Sequence, residues 1–187
     1  MFESIQPFEI RFIQKASPSE GDAFDFALVY KFFTDITEFS HRLKYILRVE
    51  VFEDVFAVKF YAARDRSLDT KYNRLLKVHN YRSIVRLFYT CATLVSRLHA
   101  EYPDVSFAIN GAETHDVVSG KVEDMESNQR FRVYRSVALK LFGGNDFEHY
   151  QLPEASSYIL VNRKGCEDVD LKYENIKHIF MSRGFVV

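Results

Sequence analysis

Two groups of side chains in this 187-residue chain are of types that could do chemistry. The first is basic. Projected at helical spacing, Arg82, Arg86, Thr93 and Arg97 fall opposite the apolar stripe of one amphipathic segment, with Tyr89 adjacent. In a second segment Arg132, Ser136 and Lys140 form one outward line, and Arg130 and Arg135 flank the buried side. Several Lys and Arg side chains on neighbouring surfaces would hold phosphates by releasing counterions together, and Tyr89 would stack on a base. The second group lies just beyond a short apolar strand, where Asn110, Glu113, His115 and Asp116 approach Arg130, Arg132 and Arg135 in sequence. A histidine for proton transfer, carboxylates beside it and arginines for developing charge are the parts of phosphodiester or phosphoester hydrolysis.

The elements that must position these groups follow from periodicity. Alternation of apolar residues over the first sixty positions predicts strands. Phe8, Ile10 and Phe12 share one face, Phe24 to Phe32 a second series, and Leu43, Tyr45, Leu47, Val49 and Val51 a third. The pattern resumes at Phe56, Val58 and Phe60 after Glu53-Asp54, which predicts a tight antiparallel hairpin. From Asn80, a candidate N-cap, the period changes. Ile84, Leu87, Phe88, Cys91, Leu94, Val95 and Leu98 recur at steps of three and four, so a helix runs to Tyr102-Pro103. Val105, Phe107 and Ile109 make a short strand, and an acidic loop at about 113–127, without pattern, is expected to be mobile. A helix from Arg130 to Phe142 stops at Gly143-Gly144. An interior strand at Tyr158–Val161 and a last helix near Leu171–Arg183, stopped by Gly184 with Phe185 folded back, complete the chain.

The architecture these elements imply is one α+β domain over 1–187. It has a single, largely antiparallel sheet, a strand meander first and then helix-strand-helix-strand-helix, with the helices packed on one face. Hydrophobic residues make up 47% of the chain, with 18 Phe and 11 Tyr, enough for a core without metal or disulfide. Cys91 and Cys166 have no zinc spacing, no His pair has ligand spacing, and no nucleotide, hydrolase or metalloprotease signature is present, so neither metal nor cofactor is expected. Without an apolar run of spanning length or a leader at Met1-Phe2-Glu3-Ser4, the expected address is cytoplasmic, with no membrane partner. Net charge is -1, yet residues 42–100 carry 12 basic against 5 acidic side chains and residues 101–128 carry 1 against 7. That division favours a charged interaction face.

The passage Tyr102-Pro103-Asp104-Val105-Ser106-Phe107-Ala108-Ile109-Asn110-Gly111-Ala112, followed by Arg130-Phe131-Arg132-Val133-Tyr134-Arg135, resembles a pattern in small uncharacterised bacterial α+β domains of Bacteroides type. In those, a short strand runs through a Gly into an Arg-x-Arg-x-Tyr helix. The likeness covers roughly residues 24–163 and departs in the long acidic insertion between Gly111 and Arg130. It implies an α+β fold and no activity.

Three functional expectations result. The first is a non-enzymatic binding module whose basic helix surface (Arg82, Arg86, Tyr89, Arg97, Arg130, Arg132, Arg135, Lys140) contacts nucleic acid or an acidic protein. The second is a small hydrolase at the 110–116 strand exit, with His115, Glu113 and Asp116 as its acid and base groups. The third is a homodimer joined along an aromatic strand surface, since the Phe and Tyr count exceeds what a small core hides.

Overall fold

A computed structural model describes residues 5–35, 42–74, 81–116, 118–164 and 166–183. The expectations for Asn80, Gly184 and Phe185 lie outside the described residues. Seven strands form one sheet: β1 (Arg11–Ala16), β2 (Phe26–Phe33), β3 (Lys44–Phe52), β4 (Val55–Ala62), β5 (Ser106–Asn110), β6 (Phe147–Leu152) and β7 (Ser157–Asn162). Three helices accompany them: α1 (Tyr81–Glu101), α2 (Gln129–Leu141) and α3 (Val169–Ser182). The strand order is β1-β2-β3-β4-β5-β7-β6.

The expected meander is present. Strands β1 to β4 pair antiparallel in sequence order, and Phe52 opposite Val55 closes the hairpin at Glu53-Asp54. Glu53 takes the left-handed conformation (φ 56°), and its amide donates to Asp25 Oδ2 at 2.7 Å. The first strand begins later than Phe8. Phe8 is buried ahead of it, its amide bonded to Thr90 Oγ1 (3.0 Å), and a bulge follows Phe12.

After β4 the chain crosses through α1 and returns parallel to it as β5, so the sheet is mixed. Register pairs run from Val55 with Ser106 to Val58 with Ile109; β5 then ends at Asn110 while β4 continues to Ala62. Strand β7 adds antiparallel to β5, with Phe107 opposite Leu160, and β6 to β7.

The helices do not share one face. Residues Phe56, Val58, Phe60, Phe107, Tyr158 and Leu160 point to the core that α1 and α2 cover, joined by Leu87, Phe88, Cys91, Tyr134 and Val137. Their alternates Val55, Ala57, Ala108, Ile159 and Val161 pack instead with Ile176 and Phe180 of α3 on the other side. The physical reason lies in the middle of the sheet, where β4, β5 and β7 carry buried apolar side chains on both faces and need two covers. The sequence expectation also lacked β6. In Phe147-Glu148-His149-Tyr150-Gln151-Leu152 the alternation is broken by His149. That ring reaches Tyr158 Oη at 2.7 Å through Nδ1 and the Phe142 carbonyl at 3.0 Å through Nε2. A polar side chain with both nitrogens satisfied does the work of an apolar one there.

No helix among the described residues is long and apolar enough to cross a membrane. Both cysteines are free: Cys91 lies in the core, where burial pushes its thiol pKa up, and Cys166 is half-buried.

Candidate functional site

Where β5 stops and β4 runs on, a notch opens at the carboxyl ends of the parallel pair. Gly111 turns the chain away toward β7, its amide donating to the Ser156 carbonyl at 2.8 Å. A Cβ at Gly111 would stand 2.7 Å from Asn128 Oδ1 and 3.0 Å from the Phe131 nitrogen, so only glycine permits the approach. Asn128 closes the contact from the other side. Its Oδ1 accepts from the Phe131 amide at 2.9 Å, capping α2, while its Nδ2 donates to the Gly111 carbonyl. Ser156, held left-handed at φ 47°, accepts from the Asn128 amide at 2.9 Å and donates to the Met125 carbonyl. This knot fixes the first turn of α2, and with it Arg130, over the notch.

Arg130 is 7% exposed. Its two terminal nitrogens donate to the carbonyls of Tyr72 and Arg74, in and just after the short 3-10 turn Lys71–Asn73. Its Nε is buried without a hydrogen-bond partner, and no carboxylate among the described residues lies within 4.0 Å of the guanidinium. Burial lowers its pKa from the ordinary value, opposed in part by Tyr134, Glu123 and Tyr45, but an arginine stays charged. A cation is therefore held in a low-dielectric wall without an ion-pair partner.

That wall borders a cavity of about 330 Å³. Lys59 and Phe60 of β4 line one side, Tyr72 and Asn73 another, and Asn110, Ala112 and Tyr134 the rest. A second cavity of about 10 Å³ shares Phe60 and Arg130 and adds Arg64, Lys71 and Arg74 against the single carboxylate of Asp65. Lys59 is ion-paired with Glu50 at 2.5 Å, but Glu50 also meets Arg48 at 3.1 Å, so two cations share one carboxylate. Together the two cavities are lined by five basic side chains against one acidic one.

The residues singled out in the sequence separate into three places. Helices α1 and α2 are neighbours through their core sides, with the rings of Phe88 and Tyr134 4.6 Å apart. Several of their cations are engaged. Arg86 pairs with Asp35, donates to the Gln6 carbonyl at 2.7 Å and lies over the Phe8 ring at 3.9 Å. Arg132 donates to the Ser127 carbonyl and Arg135 to Gln151 Oε1. Arg82, Arg97 and Lys140 are exposed, and Tyr89 is half-buried against the core.

Glu113, His115 and Asp116 lie outside the lining of the notch cavity. His115 Nε2 is sealed from solvent and stands 3.7 Å from Glu113 Oε2, beyond hydrogen-bond reach. The backbone of His115 bridges Arg74 on one side and Val122 on the other, so the acidic loop is pinned there. Asp116 organises a turn: the Ser119 hydroxyl and the Val118 amide donate to it and hold its carboxyl pKa below the usual value. Among the described residues no three His, Cys, Asp or Glu side chains group as metal ligands would.

Lys59, Tyr72 and Asn73 escaped the sequence reading, and Tyr134 entered it only as part of the second helix. Lys59 reads as one more outward strand residue, and nothing local reports that Tyr72 and Arg130, 58 residues apart, meet. Comparison with protein-family models, curated proteins and solved structures finds no match.

Proposed function

We propose that the domain is a non-enzymatic binding module for an anionic ligand, with nucleic-acid phosphate as the first partner to test, and that it binds in the β4/β5 notch. One observation carries this reading: the buried guanidinium of Arg130, without a carboxylate partner, in the wall of a 330 Å³ cavity. A phosphate or carboxylate in that cavity supplies at contact distance the counter-charge that Glu123 supplies only from beyond 4.0 Å, and in a poorly hydrated site such an interaction is stronger than on an open surface.

The open helix face supports the same class of ligand less well, since Arg86, Arg132 and Arg135 already have acceptors. The two locations give opposite results in one experiment. Binding of a short oligonucleotide is followed against salt in the wild type, in an Arg82, Arg86, Arg132 triple-alanine variant and in Arg130→Met. Binding in the notch survives the triple substitution and is lost in Arg130→Met; the reverse pattern moves the site to the helix exteriors. The hydrolase alternative has its acid and base groups outside the notch. The homodimer alternative has little aromatic surface to use, because Phe12, 54% exposed, is the most open Phe or Tyr side chain among the described residues.

A further inference from the structure

Resting on the notch as an anion site, we infer that its ligand is a nucleoside monophosphate, taken up free or as the phosphorylated end of a strand. The cavity makes two demands at once. The guanidinium of Arg130 asks for negative charge, while Phe60, Tyr72 and Tyr134, from three separate segments, add aromatic lining to the same cavity. Inorganic phosphate answers the first demand and leaves most of 330 Å³ to water against carbon. A neutral aromatic fills the space and leaves the guanidinium without a counter-ion. A ring joined to a phosphate through a sugar satisfies both, and the volume lies at the small end of the range of roughly 300–1,000 Å³ typical of small-molecule sites.

The polar groups on the walls fit the same class. The Asn73 side-chain amide and the hydroxyls of Tyr72 and Tyr134 make no hydrogen bond among the described residues, so donors and acceptors remain for a base edge or ribose. Asn110 is oriented by its Nδ2, which donates to Ser157 Oγ at 3.1 Å, and keeps its carbonyl for a ligand. Three carboxylates stand nearby. Glu50 is shared by Arg48 and Lys59, Asp65 lies 3.9 Å from Arg64, and Glu123 accepts from the Gln129 amide at 2.5 Å. None of them ion-pairs with Arg130. Aromatic rings flanking a base add affinity that tolerates base identity, so discrimination among bases is expected to be weak.

The test is calorimetric titration at constant ionic strength with five probes: adenosine 5′-monophosphate, adenosine, inorganic phosphate, and a short oligonucleotide with and without a 5′-phosphate. The monophosphate is expected to bind at least about tenfold more tightly than phosphate or adenosine. Ala112→Leu, which fills the cavity without touching a charge, should remove this binding while circular dichroism stays native. Arg130→Gln should remove it too. A gain of at least about tenfold on 5′-phosphorylation of the oligonucleotide assigns the ligand to strand ends, and an indifferent oligonucleotide assigns it to the free nucleotide. Equal binding of phosphate and monophosphate, both lost in Arg130→Gln, overturns the nucleotide inference and leaves the anion site standing. No binding of any anion removes both. Monophosphate binding that Ala112→Leu does not weaken also overturns the inference, since the site is then elsewhere.

Discussion

Arg130 is the residue on which the functional reading turns, and its burial has consequences that can be measured without any ligand. Its guanidinium ties Tyr72 and Arg74 to α2 through two carbonyls. Arg130→Met keeps the length of the side chain, removes a desolvated charge and leaves two acceptors unmet. Unsatisfied buried carbonyls each cost about 1–3 kcal/mol, and losing the buried charge offsets part of that. A net loss of about 1–3 kcal/mol in urea unfolding is expected. An unchanged midpoint would contradict the expected net loss. The helical projection had set Arg130 at the flank of the buried side, and that much was legible. What makes it buried is the segment around Tyr72, which meets it 58 residues away in sequence. Periodicity reports faces and says nothing of such partners.

At the scale of elements, the knot between β5 and α2 and the placement of α3 each make a separate claim. Asn128→Ala removes the cap of α2 and the donor to Gly111, with an expected cost of about 1–2 kcal/mol. Asn128→Asp keeps the cap oxygen but sets a carboxylate oxygen against the Gly111 carbonyl at a buried position, so it should not recover the loss. Gly111→Ala forces a carbon to 2.7 Å from Asn128 Oδ1 and is expected to cost about 1–3 kcal/mol by overpacking. For α3, Phe180 is 4% exposed and packs edge-on to Phe52 at 5.3 Å. Phe180→Ala should then cost about 3–5 kcal/mol in chemical denaturation. A value near zero would place α3 off the sheet. Alternation made β2 to β4 and the hairpin at Glu53-Asp54 readable in advance, because each of those strands has a regular apolar face, whereas the exposed and bulged β1 was placed too early. The two-sided apolar character of Tyr158–Val161 was also readable and pointed to an interior strand. Its further implication, a second covering layer, needed the position of α3. Strand β6 was hidden by His149, whose polar ring sits where an apolar side chain would have kept the period.

For the whole molecule, the aromatic content that suggested an exposed dimer surface is largely spent on the interior. Tyr45, Tyr158, Phe32, Phe52, Phe88, Phe107 and Phe147 are among the largest fully buried side chains. Buried tyrosines make stability sensitive to alkali. Burial pushes the Tyr158 pKa up to about 12 from 10.0. The folded state therefore holds the phenol proton more tightly than the unfolded chain. The stabilisation is complete below the unfolded value and falls as pH rises toward the folded one. Tyr45 and Tyr134 shift in the same direction, also chiefly through burial. Unfolding free energy should thus decline above about pH 10. With no Trp in the chain, tyrosinate absorbance follows this directly, and part of the signal should appear only as the fold is lost. Full tyrosine titration with the native circular dichroism retained would contradict the burial.

The claim that anions enter the β4/β5 notch is tested most directly by mapping backbone amide chemical shifts during titration with phenyl phosphate at fixed ionic strength. Shifts should concentrate on Lys59, Phe60, Tyr72, Asn73, Ala112 and the first turn of α2, and should vanish in Arg130→Met. Shifts confined to the neighbourhoods of Arg82, Arg97 and Lys140, or none at saturating anion, would show that the notch binds no anion.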